Sequence, residues 1–361
     1  MKKIEFYLTL VLSELSYGKQ RQLLEKYATI NEIVTNRYDT NIKTILSFEE
    51  YQRLVDVATS GKIARHLDGI KRNNIGLISI EDERYPNCLR NIHEPPIMLY
   101  YKGDINILNT DCIAIVGSRV CTSYGSEQAK KFAKELSQAG FTIVSGLAEG
   151  IDASAHIGTI EAKGKTIAVM AGGLNNIYPA INEKLAKQIV DNGGLLISEN
   201  KPSFLPKSYS FIQRNRIIAG LSQGVFSPEM GLKSGAMHTI NFALDEGRQV
   251  FALPGNVTSD ASKGTNNLIC SLQGACVLEP EDVIQCFEGH QKPQKREPTR
   301  PITEQLTIEE QIVIDALKLQ DTHFDDLAKK TGLETKKLNS LLTMMEIRGL
   351  IKKLAGNNYG L

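Results

Sequence analysis

The chain has 361 residues, 42 Lys plus Arg against 41 Asp plus Glu, and a formal net charge of +1. That length exceeds one typical domain and suits two or three. Hydrophobic residues at 42% and charged ones at 23% are the proportions of a soluble globular protein. The near-neutral balance excludes a globally basic nucleic-acid coat, so any basic surface must be local.

The chain opens with Phe6-Tyr-Leu-Thr-Leu-Val-Leu12, flanked by Glu5 and Glu14 and followed by no small-residue cleavage site. It reads as a buried first helix rather than a signal peptide. No run reaches the roughly 18 apolar residues of a membrane span, so no membrane partner is expected. Residues 1–75 carry Leu8, Leu10, Leu12, Leu15, Leu23, Leu24, Ile30, Ile33 and Val34 at helical spacings and predict a small helical module. Leu77–Ile80 predicts a short strand. Pro86, Pro95 and Pro96 then break the chain before a second strand at Ile97–Tyr101.

From Ile113 onward, short apolar runs alternate with Gly-rich turns and helical stretches. Strands are expected at Ile113–Val116, Phe141–Val144, Thr166–Met170, Leu195–Ser198, Gly224–Phe226 and Val250–Leu253. Helices are expected at Ser126–Ala139 (with Gly140 as its cap), Asp152–Ala162, Leu185–Asp191 and Arg214–Leu221. That alternation predicts an α/β fold with a doubly wound parallel sheet. The body spans 76–289. Gln291–Pro301, with three prolines, four basic residues and no large apolar group, reads as the heart of a linker spanning 290–306. Residues 307–361 give three helices and a hairpin, the pattern of a winged helix-turn-helix. Its first helix uses Ile312, Val313, Ala316 and Leu317, its second is capped by Asp321-Thr322, and its third is closed by Arg348-Gly349. Lys336, Lys337 and Arg348 on that third helix make no dense basic face, so DNA contact and protein contact both remain open.

Several motifs imitate catalysis. Gly220-Leu-Ser222-Gln-Gly224 matches a nucleophile elbow, but a helix precedes it and a strand follows, the reverse of what an elbow needs. Gly158–Thr166 is one residue too long for a phosphate loop and ends a helix instead of opening one. No G-x-G-x-x-G follows the first strand of the body, which argues against NAD. His156 and His238 are isolated, and the six cysteines (Cys88, Cys112, Cys121, Cys270, Cys276, Cys286) form no C-x-x-C pair. They read as reduced thiols of a cytoplasmic protein, and no metal or cofactor is expected. Glu149 and Asp152 flank Gly150; Asp152 is expected to cap its helix by accepting backbone N–H bonds.

The remaining signals suit an anionic ligand. Ligands of open α/β sheets bind at the carboxyl ends of the strands. Gly117-Ser118-Arg119 ends the first body strand, and Arg119 offers a planar fork for phosphate. Ser145-Gly146 and Gly172-Gly173 promise exposed backbone at two neighbouring strand ends. Lys207, Phe211, Arg214, Asn215 and Arg216 interleave charge with an aromatic ring, as single-stranded nucleic acid requires. Lys233-Ser234-Gly235 opens a helix and adds an anion site. A soluble mononucleotide would be served equally well.

Taken in order, Ile115-Val-Gly-Ser-Arg119, Ser145-Gly-Leu-Ala-Glu-Gly-Ile-Asp152 with His156, Arg214–Ser222, Lys233-Ser-Gly235, and Phe251-Ala-Leu-Pro-Gly255 with Gly264 and Asn267-Leu-Ile269 resemble the DNA-processing protein A family (DprA, also called Smf). The match covers roughly residues 75–285. The resemblance implies an extended Rossmann-like sheet between a SAM-like helical module and a winged-helix domain. It implies a non-enzymatic, homodimeric binder of single-stranded DNA that protects incoming DNA and loads the RecA recombinase in natural transformation, the competence pathway. It places Ser118 and Arg119 on the DNA-binding loop, with Lys207, Phe211 and Arg214-Asn215-Arg216 on the adjoining wall and Phe211 as the stacking ring. In this chain Ser227-Pro228-Glu229-Met230 stands where many relatives continue an apolar strand; Pro228 lacks a ladder donor, so that strand should be short. Two rivals are a nucleotide-processing N-glycosidase, with Glu199 and Glu229 as candidate acids, and a winged-helix regulator whose body senses a ligand.

Overall fold

The structure, a computed structural model, describes residues 2–36, 38–287, 289, 307–317, 322–348, 350–354 and 357–360. Two units result, Met1–Gln294 and Lys295–Leu361. The expected linker at 290–306 lies outside the described residues, as do Asp321 and Gly349.

The first unit begins with six helices: α1 (Lys2–Leu12), α2 (Tyr17–Lys26), α3 (Ile30–Thr35), α4 (Thr40–Ile45), α5 (Phe48–Thr59) and α6 (Lys62–Arg72). The apolar run at the N-terminus lies within α1, where Phe6, Tyr7, Leu8 and Leu10 are all buried beside Leu23, Ile33, Ile42 and Leu54. Ile97 and Met98 join the same cluster, so the helical module is welded to the edge of the sheet rather than tethered to it.

The body follows as β1 (Gly76–Ser79), α7 (Asn87–Arg90), β2 (Met98–Gly103), β3 (Cys112–Ile115), α8 (Ser123–Gln138), β4 (Thr142–Ser145), α9 (Ile151–Glu161), β5 (Thr166–Val169), α10 (Glu183–Asp191), β6 (Leu195–Ser198), α11 (Ser208–Leu221), β7 (Gly224–Ser227), α12 (Ala236–Asp245), β8 (Gln249–Ala252), α13 (Lys263–Cys270), β9 (Ala275–Cys276) and α14 (Pro280–Ile284). The strands form one sheet in the order β1-β2-β6-β5-β4-β3-β7-β8-β9. From β6 to β9 every pairing is parallel, while β2 and β1 run antiparallel at one edge.

Buried residues alternate across the sheet as its period of two demands. Ala114 and Val116 of the β3 segment pack with Ile217, Ile218, Ile240 and Leu268 of α11, α12 and α13. Ile113 and Ile115 point to the opposite face, against Phe132, Leu136, Ile151 and Val283 of α8, α9 and α14. Phe132 stacks on Phe226 at 4.2 Å between ring centres. Helices therefore cover both faces, which is why the strands read as continuous apolar runs.

Most expected bounds move by a residue or two; two helix starts and the end of β7 have plain local causes. α8 starts at Ser123, not Ser126, because the Thr122 hydroxyl accepts the Gly125 amide at 3.1 Å; Gly140, at φ 104°, lies one residue past the cap. α11 starts six residues earlier than its apolar pattern, where the Lys207 amide donates to the Ser210 hydroxyl at 3.0 Å. β7 stops at Ser227, ahead of Pro228, as the missing donor requires.

The second unit holds α15 (Ile308–Leu317), β10 (Thr322–His323), α16 (Phe324–Thr331), α17 (Thr335–Ile347), β11 (Lys352–Leu354) and β12 (Asn358–Gly360). Its three strands pair in the order β10-β12-β11 over a core of Val313, Leu327, Leu338, Leu342 and Tyr359. The cap of α16 is the His323 ring nitrogen, which accepts the Asp325 amide at 3.3 Å; Thr322 is spent on β10 instead. No helix among the described residues is long and apolar enough to cross a membrane.

Candidate nucleic-acid interface

The strand order reverses at β3, whose neighbours are β4 on one side and β7 on the other. At such a switch point the two loops diverge and leave a crevice. Here the crevice is a cleft of about 780 Å³, lined by Gly117, Ser118 and Arg119 after β3, by Phe211, Arg214 and Asn215 of α11, and by Lys233, Ser234 and His238 around the start of α12.

The loop after β3 is held from two sides. Thr122 donates both its amide and its hydroxyl to the Glu229 carboxylate, each at 2.7 Å, and the Ser118 amide donates to the Glu229 carbonyl at 3.0 Å. On the other side the Ile151 amide donates to the Ser118 carbonyl at 3.2 Å. Gly150, at φ 75°, permits that approach: a Cβ there would lie 2.4 Å from the Ser118 carbonyl oxygen. Gly117 is small for a similar reason, since a Cβ would meet the Glu229 carbonyl at 2.5 Å. Held this way, Arg119 is exposed on the rim, its guanidinium carbon 5.1 Å from the centre of the Phe211 ring. Tyr178 meets the same ring edge-on at 5.8 Å and is half exposed. A cation on one ring with a second ring at its edge presents charge and π-surface together.

Beneath the cleft lies a buried polar layer. Arg214 donates to the Gly146 carbonyl at 2.7 Å and to the Val169 carbonyl, and its Nε to Asn215 at 3.2 Å. Burial lowers its pKa to about 10, against the opposing pull of Asp152, so it stays charged at neutral pH. Asp152 accepts the amides of Gly146 at 3.1 Å and Ala148 at 3.3 Å. Burial raises its carboxyl, and Arg214 opposes the rise. The expectation that Asp152 caps its own helix is thus corrected: it ties down the preceding loop, and Gly150 occupies the N-cap. His156 is fully buried, its Nδ1 2.7 Å from the Thr166 hydroxyl and its Nε2 without a partner. Burial, then Arg214, lowers its pKa to about 3, so it is neutral.

Several residues that the sequence placed at the ligand are covered. Ser145 is buried and donates to the Ile115 carbonyl at 2.6 Å. Gly146 faces the Arg214 guanidinium. Gly172 and Gly173 lie under the 201–206 segment, the Gly173 amide donating to the Phe204 carbonyl at 2.8 Å. These glycines allow protein segments to close on one another and do not expose backbone. Arg214, Asn215 and Arg216 are each more than nine-tenths buried; Arg216 spends one nitrogen on both oxygens of Glu199 at 2.7 and 2.8 Å. Among the described residues, Arg119 and Lys233 are the exposed cations that line the cleft, and exposed Lys207 stands beside the lining residue Ser208. Tyr178 went unnoticed in the sequence, its only signal being an aromatic beside Pro179 in a polar loop. Ser222 caps α11, is buried, and donates to the Ile218 carbonyl at 2.9 Å, as the reversed elbow implied. Among the described residues no cluster of three or more His, Cys, Asp or Glu forms a metal site.

A family model described as DNA recombination-mediator protein A matches residues 76–288, and one described as the DprA winged helix domain matches residues 297–357. The DNA processing protein DprA of Bacillus subtilis (strain 168) is 40% identical over 226 residues, covering 62% of this chain and 75% of that protein. Protein Smf of Escherichia coli (strain K12) is 34% identical over 319 residues, covering 87% and 84%. The X-ray structure of DNA processing protein A from Streptococcus pneumoniae superposes with a TM-score of 0.69 at 32% identity, over 80% of this chain and 100% of that one. DNA processing protein A from Helicobacter pylori, solved for its single-stranded DNA binding mode, gives 0.54 at 32% identity over 59% and 94%. With the body and the C-terminal unit both matched in order, this chain belongs to the DNA recombination-mediator protein A family.

Proposed function

We propose that this chain binds single-stranded DNA along the cleft at the β3 switch point and acts as a recombination mediator. As a cytoplasmic homodimer without catalytic activity of its own, it shields incoming strands during transformation and passes them to a RecA-type recombinase. The observation that carries the reading is Arg119 seated on Phe211 with Tyr178 at its edge, on the rim of a cleft whose far wall holds Lys233. Rings accept any base by stacking while cations follow the backbone, so the arrangement suits single strands of any sequence. Membership in the family supports the mediator role, and the H. pylori relative supports the ligand.

The carboxylates that an N-glycosidase would need are otherwise engaged. Glu229 is 2% exposed and holds Thr122; Glu199 is paired with Arg216. This supports binding rather than base release. The test is fluorescence anisotropy with labelled oligo-dT and duplex of matched length over a salt series. Strand-selective binding that weakens steeply with salt is expected. A preference for duplex, or release of free base from nucleoside monophosphates, would overturn the reading.

A further inference from the structure

The cations of the cleft do not end at its rim. Lys207 stands at the N-cap of α11, next to the cleft residue Ser208, with its ammonium 5.9 Å from the ring centre of half-exposed Tyr209. The segment leading into it carries Lys201, which pairs with Glu14 of the α1–α2 turn at 2.6 Å. Exposed Arg53 of α5 reaches the same turn, its Nε donating to the Ser13 carbonyl at 3.2 Å. Glu14 feels all three: its carboxyl is held below the usual range first by Lys201, then by Arg53 and Lys207. One exposed carboxylate therefore faces three cations drawn from the helical module and the cleft rim. Two acids of α5 three residues to either side of Arg53 are already engaged, Glu50 with Lys19 at 2.6 Å and Asp56 with Lys62.

We propose that Lys207, Lys201 and Arg53 form a second phosphate-binding tract that carries single-stranded nucleic acid out of the cleft and onto the helical module, with Glu14 as the stand-in anion that a backbone phosphate displaces. The tract rests on the reading of the cleft as a single-strand site. It assigns the helical module a direct part in holding the ligand. Glu14 sets the affinity, because each incoming phosphate must compete with a carboxylate already seated on Lys201.

The test uses the full chain and two labelled oligo-dT lengths, about 6 and about 20 nucleotides, the short one filling the cleft alone. Each single-strand phosphate contact adds about 0.7 to the magnitude of the salt slope and about fourfold to the affinity at 0.15 M salt. Arg53→Ala with Lys201→Ala is expected to weaken the long oligonucleotide by roughly 10- to 20-fold, lower its slope by about 1.4, and leave the short one unchanged. Glu14→Gln is expected to tighten the long oligonucleotide about fourfold, a gain that damage to the fold does not produce. Equal losses on both lengths, no loss on either, or weaker long-strand binding by Glu14→Gln would overturn the tract. Arg119→Ala on the short oligonucleotide tests the cleft separately. If it has no effect while the long strand still responds to Arg53 and Lys201, the cleft reading fails and the path out of the cleft fails with it, leaving phosphate binding on the helical module; a loss with Arg119→Ala beside no response to Arg53 and Lys201 overturns the tract alone. Absence of binding by the wild-type chain overturns both.

Discussion

His156 offers a measurement of the buried layer under the cleft. It is fully enclosed, its Nε2 has no partner, and its neighbour Arg214 is a fixed cation. Protonation would place a second charge beside the first. With a pKa lowered from 6.5 to about 3, the folded protein keeps His156 neutral where the unfolded chain is protonated. Above the unfolded value both states are neutral and the full stability is present. As pH falls from about 6.5 toward about 3, the unfolded state takes up a proton that the folded state refuses, and stability is lost at about 1.4 kcal/mol per pH unit. At about pH 5 the loss from this group alone amounts to about 2 kcal/mol. Asp152 works in the opposite sense, since its carboxyl is raised by burial and favours the folded state as pH falls. The clean quantity is therefore a difference between wild type and His156→Gln, which removes the titration and keeps a polar side chain. The chain has no Trp, so urea unfolding is followed by far-ultraviolet circular dichroism at about pH 7.5 and about pH 5. Wild type should lose about 2 kcal/mol more than the variant over that interval. Parallel losses in the two proteins would refute a neutral, enclosed imidazole.

Four further outcomes follow from the cleft. Arg119→Ala and Lys207→Ala should each weaken oligo-dT binding about fourfold at 0.15 M salt and flatten the salt slope by about 0.7; unchanged slopes would remove them from the interface. Phe211→Ala should cost about 1–3 kcal/mol of binding through a lost stacked base, while Phe211→Tyr retains most of it, as read by anisotropy. Glu229→Ala strips the Thr122 amide and hydroxyl of their acceptor, costing about 1–3 kcal/mol of stability and speeding amide exchange in residues 117–122, whereas Glu229→Gln keeps one acceptor and falls between. Gly150→Ala, forced to φ 75° against two carbonyl oxygens, should cost more than about 1 kcal/mol in a melting experiment; an unshifted melting point would mean that the Ser118–Arg119 loop yields easily.

The parallel strands β3 to β7 were legible because each is buried on both faces, as in Cys112–Ile115 and Thr166–Val169, so their burial appears directly as apolar runs; the two exposed residues of β9 left no such run and were missed. The position of the cleft followed from the same runs, since each ends in small residues. What lies behind those residues was hidden. A glycine reads alike whether a ligand or another segment approaches it, and only the fold shows the 201–206 segment covering Gly172 and Gly173. The polar stretch Arg214–Arg216 looked like surface because charge is costly to bury; here its partners, Gly146, Val169 and Glu199, come from distant strands. Glu229 drew notice only as a candidate acid, because its bond to Thr122 spans 107 positions. The early start of α11 was missed since Ser208, Tyr209 and Ser210 carry no apolar period.

The place of β3 in the sheet also sets a timetable for synthesis. β4, its neighbour on one side, emerges soon after it, but β7 on the other side follows only about 110 residues later, a wait of roughly 5 to 20 s at ordinary elongation rates. Throughout that interval the nascent chain offers the open hydrogen-bonding edge of Cys112–Ile115, four wholly apolar residues, to any other strand within reach. The ligand cleft and this unguarded edge share one origin, the crossover carried by α11. Ribosome-bound chains halted before β7 should accordingly be the species most in need of a chaperone.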